Sequence, residues 1–247
     1  MTRYCKVAKS PRPVTTAGGE GVLGRRKFIV IEGLIGVGKT SLCRILQRRW
    51  KARLILEPCD DNPFLAAFYA DRERYAFPAQ MFYLATRFAQ QMELIQTDLF
   101  TNLIVSDYLY EKDRLFAEET LNPQELALYD RFATLLGANI PDPDFIVFLD
   151  SPTHVIQERI KRRAIRAEQT IPDEYLDSLR ARYYSLWDRY PNSPIYVVDT
   201  SNIQYIDNVE DRNMMLAMIE GWLEGRPVPG APEPYQCDTP RQLQLFG

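Results

Sequence analysis

Gly33-Leu34-Ile35-Gly36-Val37-Gly38-Lys39-Thr40 carries the spacing G-x-x-x-x-G-K-[ST], and those residue types point to phosphate chemistry. Backbone N–H groups must wrap a polyphosphate at close range, and side chains at Gly33, Gly36 and Gly38 would hinder that approach. A helix starting near Lys39 adds unpaired N–H groups and the positive end of its dipole. Lys39 can reach β- and γ-phosphates and the Thr40 hydroxyl can ligate Mg²⁺; Ser41 completes the binding stretch. The flanks agree. Phe28-Ile29-Val30-Ile31 reads as a buried parallel strand, and Leu42, Ile45 and Leu46 share a helical face opposite Arg44, Gln47 and Arg48. The expected ligand is a nucleoside triphosphate with Mg²⁺.

Two acids stand where an open α/β sheet binds ligands, at the C-terminal ends of parallel strands. Arg53-Leu54-Ile55-Leu56-Glu57, stopped by Pro58, makes Glu57 a candidate general base, with a solvated strand-end acid as the plain alternative. Leu103-Ile104-Val105-Ser106-Asp107 places Asp107 near the metal or substrate, with Asp113 and Arg114 on the following turn. Residues 62–97 read as helical and densely aromatic. Within them Gln80 and Arg87, seven apart, share a face suited to a flat polar ring. Arg159, Lys161, Arg162, Arg163 and Arg166 crowd one stretch. A charge run is ordinarily a solvated helix face, but beside a phosphate loop arginines can stabilise a transferring γ-phosphoryl group.

Further strands at Phe145-Ile146-Val147-Phe148-Leu149 and Ile195-Tyr196-Val197-Val198-Asp199, with helices at 123–137, 173–190 and 207–224, complete the pattern. The expected fold is α/β, a five-stranded parallel sheet flanked by helices. Residues 1–26 read as a flexible leader, with a mitochondrial transit peptide as the weaker alternative. Residues 27–224 read as one folded domain built on the phosphate loop, and the proline- and glycine-rich residues 225–247 read as a disordered tail.

Composition narrows the options. A net charge of -3 argues against general nucleic-acid binding. Cys5, Cys43, Cys59 and Cys237 are scattered, which favours reduced thiols in the cytoplasm over a disulfide frame or zinc site. The one histidine, His154, leaves little room for histidine-centred chemistry and reads as a surface residue at a helix start. No apolar run approaches membrane-spanning length, and no N-K-x-D motif supports a regulatory GTPase.

Several stretches in the same order resemble the deoxynucleoside kinases, over about residues 27–223. IEGLIGVGKTSL looks like that family's phosphate loop, LILEPCDDNPFLAAFY like its Glu-Pro segment, and RIKRRAIRAEQTIPDEYLDSL like its arginine-rich lid. DNPFL with RYAF is similar to the bacterial purine deoxynucleoside kinases. The resemblance implies a P-loop kinase fold and ATP-dependent phosphorylation of a deoxyribonucleoside, deoxyadenosine or deoxyguanosine, at its 5′-hydroxyl. It implies Glu57 as base, Gln80 reading the nucleobase, and Arg87 with Asp113 reading its remaining edge. Tyr69 and Glu168 would hold the sugar 3′-hydroxyl, and Arg159 and Arg163 the phosphates. It also implies a homodimer through pocket-side helices.

Two positions depart from the pattern. Tyr108 stands where the family has an arginine that positions the phosphoryl group, and Ile165 replaces a third lid arginine, with Arg162 and Arg166 as possible substitutes. The alternatives are a kinase for another acceptor, such as a nucleoside monophosphate met by Arg72, Arg74 and Arg87, or a nucleotide-binding protein with impaired catalysis. Separately, Gln242-Leu243-Gln244-Leu245-Phe246 is similar to the peptide that docks bacterial replication proteins on the sliding clamp.

Overall fold

A computed structural model describes residues 26–57, 61–95, 102–136 and 141–236. Five strands, β1 (Lys27–Gly33), β2 (Arg53–Ile55), β3 (Leu103–Ser106), β4 (Phe145–Asp150) and β5 (Ile195–Asp199), form one parallel sheet in the order β2-β3-β1-β4-β5. β1 is central because it is apolar on both faces. Ile29 and Ile31 enter one core and Val30 the other, as expected of a strand covered on both sides.

The helices are α1 (Lys39–Trp50), α2 (Leu65–Ala70), α3 (Arg72–Ile95), α4 (Lys112–Thr120), α5 (Pro123–Leu136), α6 (Thr153–Arg163), α7 (Asp173–Trp187) and α8 (Val209–Glu224). Leu42, Cys43 and Leu46 of α1 and Met215, Met218 and Ile219 of α8 cover one face. Ile156 and Ile160 of α6, with Leu176, Leu179 and Tyr183 of α7, cover the other. A third cluster, with Phe68, Ala79, Leu84, Ala117 and Tyr129, joins α2 to α5 beside the sheet. The C-terminal ends of β1, β2 and β3 open towards that cluster.

Several boundaries differ from the sequence expectation. β2 stops at Ile55, because the Glu57 N–H turns to Asp107 Oδ1 at 2.7 Å instead of extending the ladder. The helical stretch expected over 62–97 is two helices broken at Asp71, whose Oδ1 accepts the Arg74 N–H at 3.2 Å. α7 ends at Trp187, and α8 begins after Asn208, whose side chain caps the N–H groups of Glu210 and Asp211.

The expectation of disorder from Gly225 needs correction over residues 225–236. There the chain lies against the outer edge of β5: Tyr196 and Pro234 form an antiparallel bridge, and the Tyr235 N–H donates to the Ile195 carbonyl at 2.6 Å. Val228 and Ala231 pack on the first core and Tyr235 on the second. Prolines lower the entropy lost on ordering, so composition alone misjudged this segment. The leader over residues 1–25 and the clamp-like Gln242-Leu243-Gln244-Leu245-Phe246 lie outside the described residues. Among the described residues no helix is long and apolar enough to cross a membrane. His154 is exposed in the first turn of α6, as expected.

Candidate active site

The loop between β1 and α1 is built from glycines that nothing larger could replace. Gly38 has φ 114°, and a Cβ there would lie 2.3 Å from the Tyr205 hydroxyl oxygen; at Gly33 it would lie 2.4 Å from the Leu149 carbonyl oxygen. Leu34 and Val37 anchor the loop in opposite cores, leaving Gly33, Ile35, Gly36, Lys39 and Thr40 to line a cavity of about 370 Å³. The cavity lies within the usual range for small-molecule sites, roughly 300–1,000 Å³. Lys39 Nζ donates to the Gly33 and Leu34 carbonyls at 2.9 and 3.0 Å. Burial lowers its pKa, and the Lys112 charge lowers it further.

Asp107 joins two parts of the site. Its Oδ2 accepts the Thr40 hydroxyl at 2.5 Å and its Oδ1 the Glu57 N–H. No group of three or more Asp, Glu, His or Cys among the described residues could hold a metal unaided. One hydroxyl and one carboxylate suit Mg²⁺, which commonly takes its remaining oxygens from phosphates and water. Thr40 and Asp107 therefore fit the ion that this loop chemistry implies.

Glu57 faces the same cavity, held by two cations. Arg87 pairs with its Oε1, and Lys112 Nζ lies 3.0 Å from Oε2. Burial opposes the carboxylate charge, but Lys112 and then Arg87 outweigh it and hold Glu57 well below the ordinary carboxylate range. Arg87 also pairs with Asp113, whose Oδ2 accepts the Tyr129 hydroxyl at 2.8 Å. Tyr83 stacks on this guanidinium, 5.1 Å from ring centre to Cζ. Gln80, buried and anchored to the Thr120 hydroxyl at 3.2 Å, lines the cavity beside Arg87. The shared face of Gln80 and Arg87 is thus met by one polar wall. Asp113 stands behind Arg87 rather than on the cavity lining.

Tyr69 and Glu168 line the cavity as well, and Arg163, 3.4 Å from Glu168, reaches it from the end of α6. Arg159 does not line it. Its guanidinium grips the Thr200 carbonyl and hydroxyl, the Ser151 hydroxyl and, at 3.2 Å, the Val37 carbonyl, so it braces the phosphate loop from behind. Arg162 points outward, 3.9 Å from Asp207, and Arg166 is exposed. Neither stands in for an arginine at Ile165.

Tyr108 is buried with Ile55 and Ile104, and its hydroxyl donates to Gln90 Oε1 at 2.7 Å. It is a packing residue. Beside Arg87, a second buried cation on this side of the cavity is Lys112, which sequence reasoning passed over in favour of its neighbours Asp113 and Arg114. Its signal was faint: a lysine in the first turn of a helix, where the dipole disfavours one. Glu32 was missed too. It is fully buried, accepts the Leu109 N–H at 2.7 Å and the Tyr183 hydroxyl at 2.9 Å, and so ties β1 to the loop after β3 and to α7.

The family model for deoxynucleoside kinases matches residues 29–224. The chain belongs to that family. It is a phosphotransferase that phosphorylates a deoxyribonucleoside at the 5′-hydroxyl. Among curated relatives, the deoxyguanosine kinase of Bacillus subtilis (strain 168) is 30% identical over 78% of this chain and 96% of its own. The deoxyguanosine kinase of Lactobacillus acidophilus is 33% identical over 77% of this chain and 88% of its own. The deoxyadenosine/deoxycytidine kinase of Bacillus subtilis is 25% identical over 79% and 91%. Among solved structures, the deoxyadenosine kinase from M. mycoides with bound dATP superposes with a TM-score of 0.67, covering 79% of this chain and all of that one, at 21% identity. That last likeness is one of fold. These matches do not favour a monophosphate acceptor or a protein that only binds nucleotides. Arg72, stacked on Tyr175 at 4.3 Å, and Arg74, on Tyr75 at 5.5 Å, do not line the kinase's cavity.

Proposed function

We propose that this kinase transfers the γ-phosphoryl group of ATP to the 5′-hydroxyl of a purine deoxyribonucleoside, deoxyguanosine or deoxyadenosine, with Mg²⁺ held by Thr40 and Asp107. One observation carries the reading: the cavity that begins at Lys39 and Thr40 ends at Gln80 and Arg87, with Glu57 on its wall. A nucleoside seated on Gln80 presents its sugar towards Glu57 and the phosphate loop. Arg87 keeps a buried donor, Nε, with no hydrogen-bond partner among the described residues, which suits an acceptor on the nucleobase. Purine preference draws support from the names of the relatives.

In this reading Glu57 accepts the proton of the 5′-hydroxyl as its oxygen attacks phosphorus. Lys39 and Arg163 balance charge on the phosphates, while Tyr69 and Glu168 hold the sugar 3′-hydroxyl. Arg159 contributes by fixing the loop. Mg²⁺, when bound, neutralises phosphate charge. The test offers labelled ATP and Mg²⁺ with deoxyguanosine, deoxyadenosine, deoxycytidine and thymidine in separate reactions. Label is expected in a purine 5′-monophosphate; transfer to pyrimidines alone would refute the purine reading.

We propose work in a reducing compartment such as the cytoplasm, with which the free, buried thiol of Cys43 is consistent. We also propose a homodimer. Leu128, Phe132 and Leu135 share one face of α5 at helical spacing and are exposed, Leu135 at 77%. A second copy burying that face would explain it. Sedimentation velocity should give a dimer for the wild type and a monomer for Leu135→Glu. A monomeric wild type would reject this surface.

A further inference from the structure

In the reading above Gln80 meets the nucleobase with one donor and one acceptor, and a carboxamide can present those two in either order. A half-turn about the last side-chain bond exchanges Oε1 and Nε2 at little torsional cost. The order matters because the two purines are opposites on the edge being read. Adenine offers an N–H at N6 and an acceptor at N1, whereas guanine offers an acceptor at O6 and an N–H at N1. The buried Nε of Arg87 does not separate them, since it is a donor that N7 of either purine would satisfy.

The fold fixes the order from behind. The hydroxyl of Thr120, the last residue of α4, lies 2.6 Å from the Phe116 carbonyl oxygen one turn earlier. A carbonyl oxygen has no hydrogen, so the hydrogen in that contact is the hydroxyl's own. Towards Gln80 the Thr120 oxygen then has only lone pairs, and it stands 3.2 Å from Nε2. The NH₂ end of the amide can meet it. The reversed amide would set Oε1 against a second acceptor, leaving both unsatisfied. One hydrogen of Nε2 is thereby spent on Thr120, and the other remains beside Oε1 for the cavity that Gln80 lines. Gln80 is only 4% exposed, so water gives the reversed arrangement little relief.

Resting on the kinase reading, we propose that Thr120 is a specificity-determining residue that acts through Gln80 without lining the cavity itself. It selects between bases that carry an amino group beside a ring acceptor and bases that carry a carbonyl beside a ring N–H. A base of the wrong order must leave its edge unpaired or turn the amide and break the bond to Thr120. Loss of one such hydrogen bond is worth on the order of tenfold in relative affinity.

The test uses nucleosides that differ in this order alone. Deoxyinosine has the carbonyl and ring N–H of deoxyguanosine without its amino group, so its comparison with deoxyadenosine isolates the edge facing Gln80. The ratio of kcat/KM for the pair, and the ratio of their Kd values by calorimetry without ATP, are measured for the full chain as wild type, Thr120→Val and Thr120→Ser. The wild type is expected to favour one of the two by about tenfold or more. Thr120→Val keeps the shape but has no lone pairs, and should bring both ratios down by on the order of tenfold; Thr120→Ser should restore them. A wild type indifferent to the pair overturns the proposal. So does a Thr120→Val chain that loses both nucleosides equally with the ratio unmoved, which is the result of loosened packing between α3 and α4. Binding without phosphate transfer refutes the kinase reading and leaves the Kd ratios to decide on Thr120. If only pyrimidines bind, the purine reading fails, and deoxycytidine with deoxyuridine, reversed in the same way, takes the place of the purine pair. Binding of no nucleoside refutes both.

Discussion

Glu57→Gln is expected to lower kcat by about two to four orders of magnitude while nucleoside binding survives. Glutamine keeps the shape and one acceptor oxygen but cannot take the proton of the 5′-hydroxyl. Its amide still accepts a hydrogen bond from Lys112 or Arg87, so the wall of the cavity stays in place. Rapid-quench turnover and nucleoside titration by calorimetry separate the two effects. Full turnover in this variant would remove Glu57 from the base role.

The pH dependence follows from the same contacts. Lys112 and Arg87 overcome the effect of burial and hold Glu57 below the ordinary carboxylate value, about 4.3. The base therefore remains ionised as pH falls from neutral to about 5, and kcat/KM should show no acid limb from Glu57 in that window. The linked stability has the same sign. With its folded pKa depressed, Glu57 contributes fully above the unfolded value and loses the contribution as pH drops through the folded one.

Arg87→Leu should be the most destabilising single change in the site, by about 3–5 kcal/mol at neutral pH. Arg87 is 2% exposed and bridges two acids, Glu57 and Asp113. Without it Glu57 retains Lys112, but Asp113 keeps only the Tyr129 hydroxyl as a side-chain partner among those described, with its charge uncompensated in a buried place. Part of the deficit should disappear below about pH 4, where the wild type loses the Glu57 contribution as well. Adding Asp113→Asn should recover part of the loss, a coupling that denaturant titration of the four-member cycle would measure. Strict additivity across the cycle would mean that the pair does not act as a unit. The single variant should also lose nucleoside use, because Gln80 would be left as the main polar reader at that end.

Much of this site was legible in the chain because its parts lie at the ends of strands. The loop glycines, Lys39, Thr40, Glu57 and Asp107 all follow apolar runs that name a parallel sheet, and the sheet brings its C-terminal ends together. Gln80 and Arg87 were legible by helical spacing. Lys112 was not, since its importance depends on where α4 enters the cavity relative to β2, and no local pattern encodes that approach. Tyr108 misled in the opposite direction. A missing charge reads as a lost function in sequence, yet the side chain turns into the core and another residue brings a cation to Glu57. Arg159 shows the limit of resemblance, since its guanidinium is committed to Thr200 and to the back of the loop. The break at Asp71 escaped because a helix-compatible aromatic run continues on both sides of it.

The segment laid on β5 bears on how this protein could aggregate. An outermost strand offers a row of unpaired backbone groups on which a neighbouring molecule can build a sheet. Here that row is met by a segment carrying Pro229, Pro232 and Pro234, none of which has an N–H to offer outward. Prolines at these positions make the covering segment a poor template for another strand. Loss of residues 225–236 would bare Ile195 and Tyr196 together with the apolar surfaces under Val228 and Tyr235, turning a closed edge into an adhesive one.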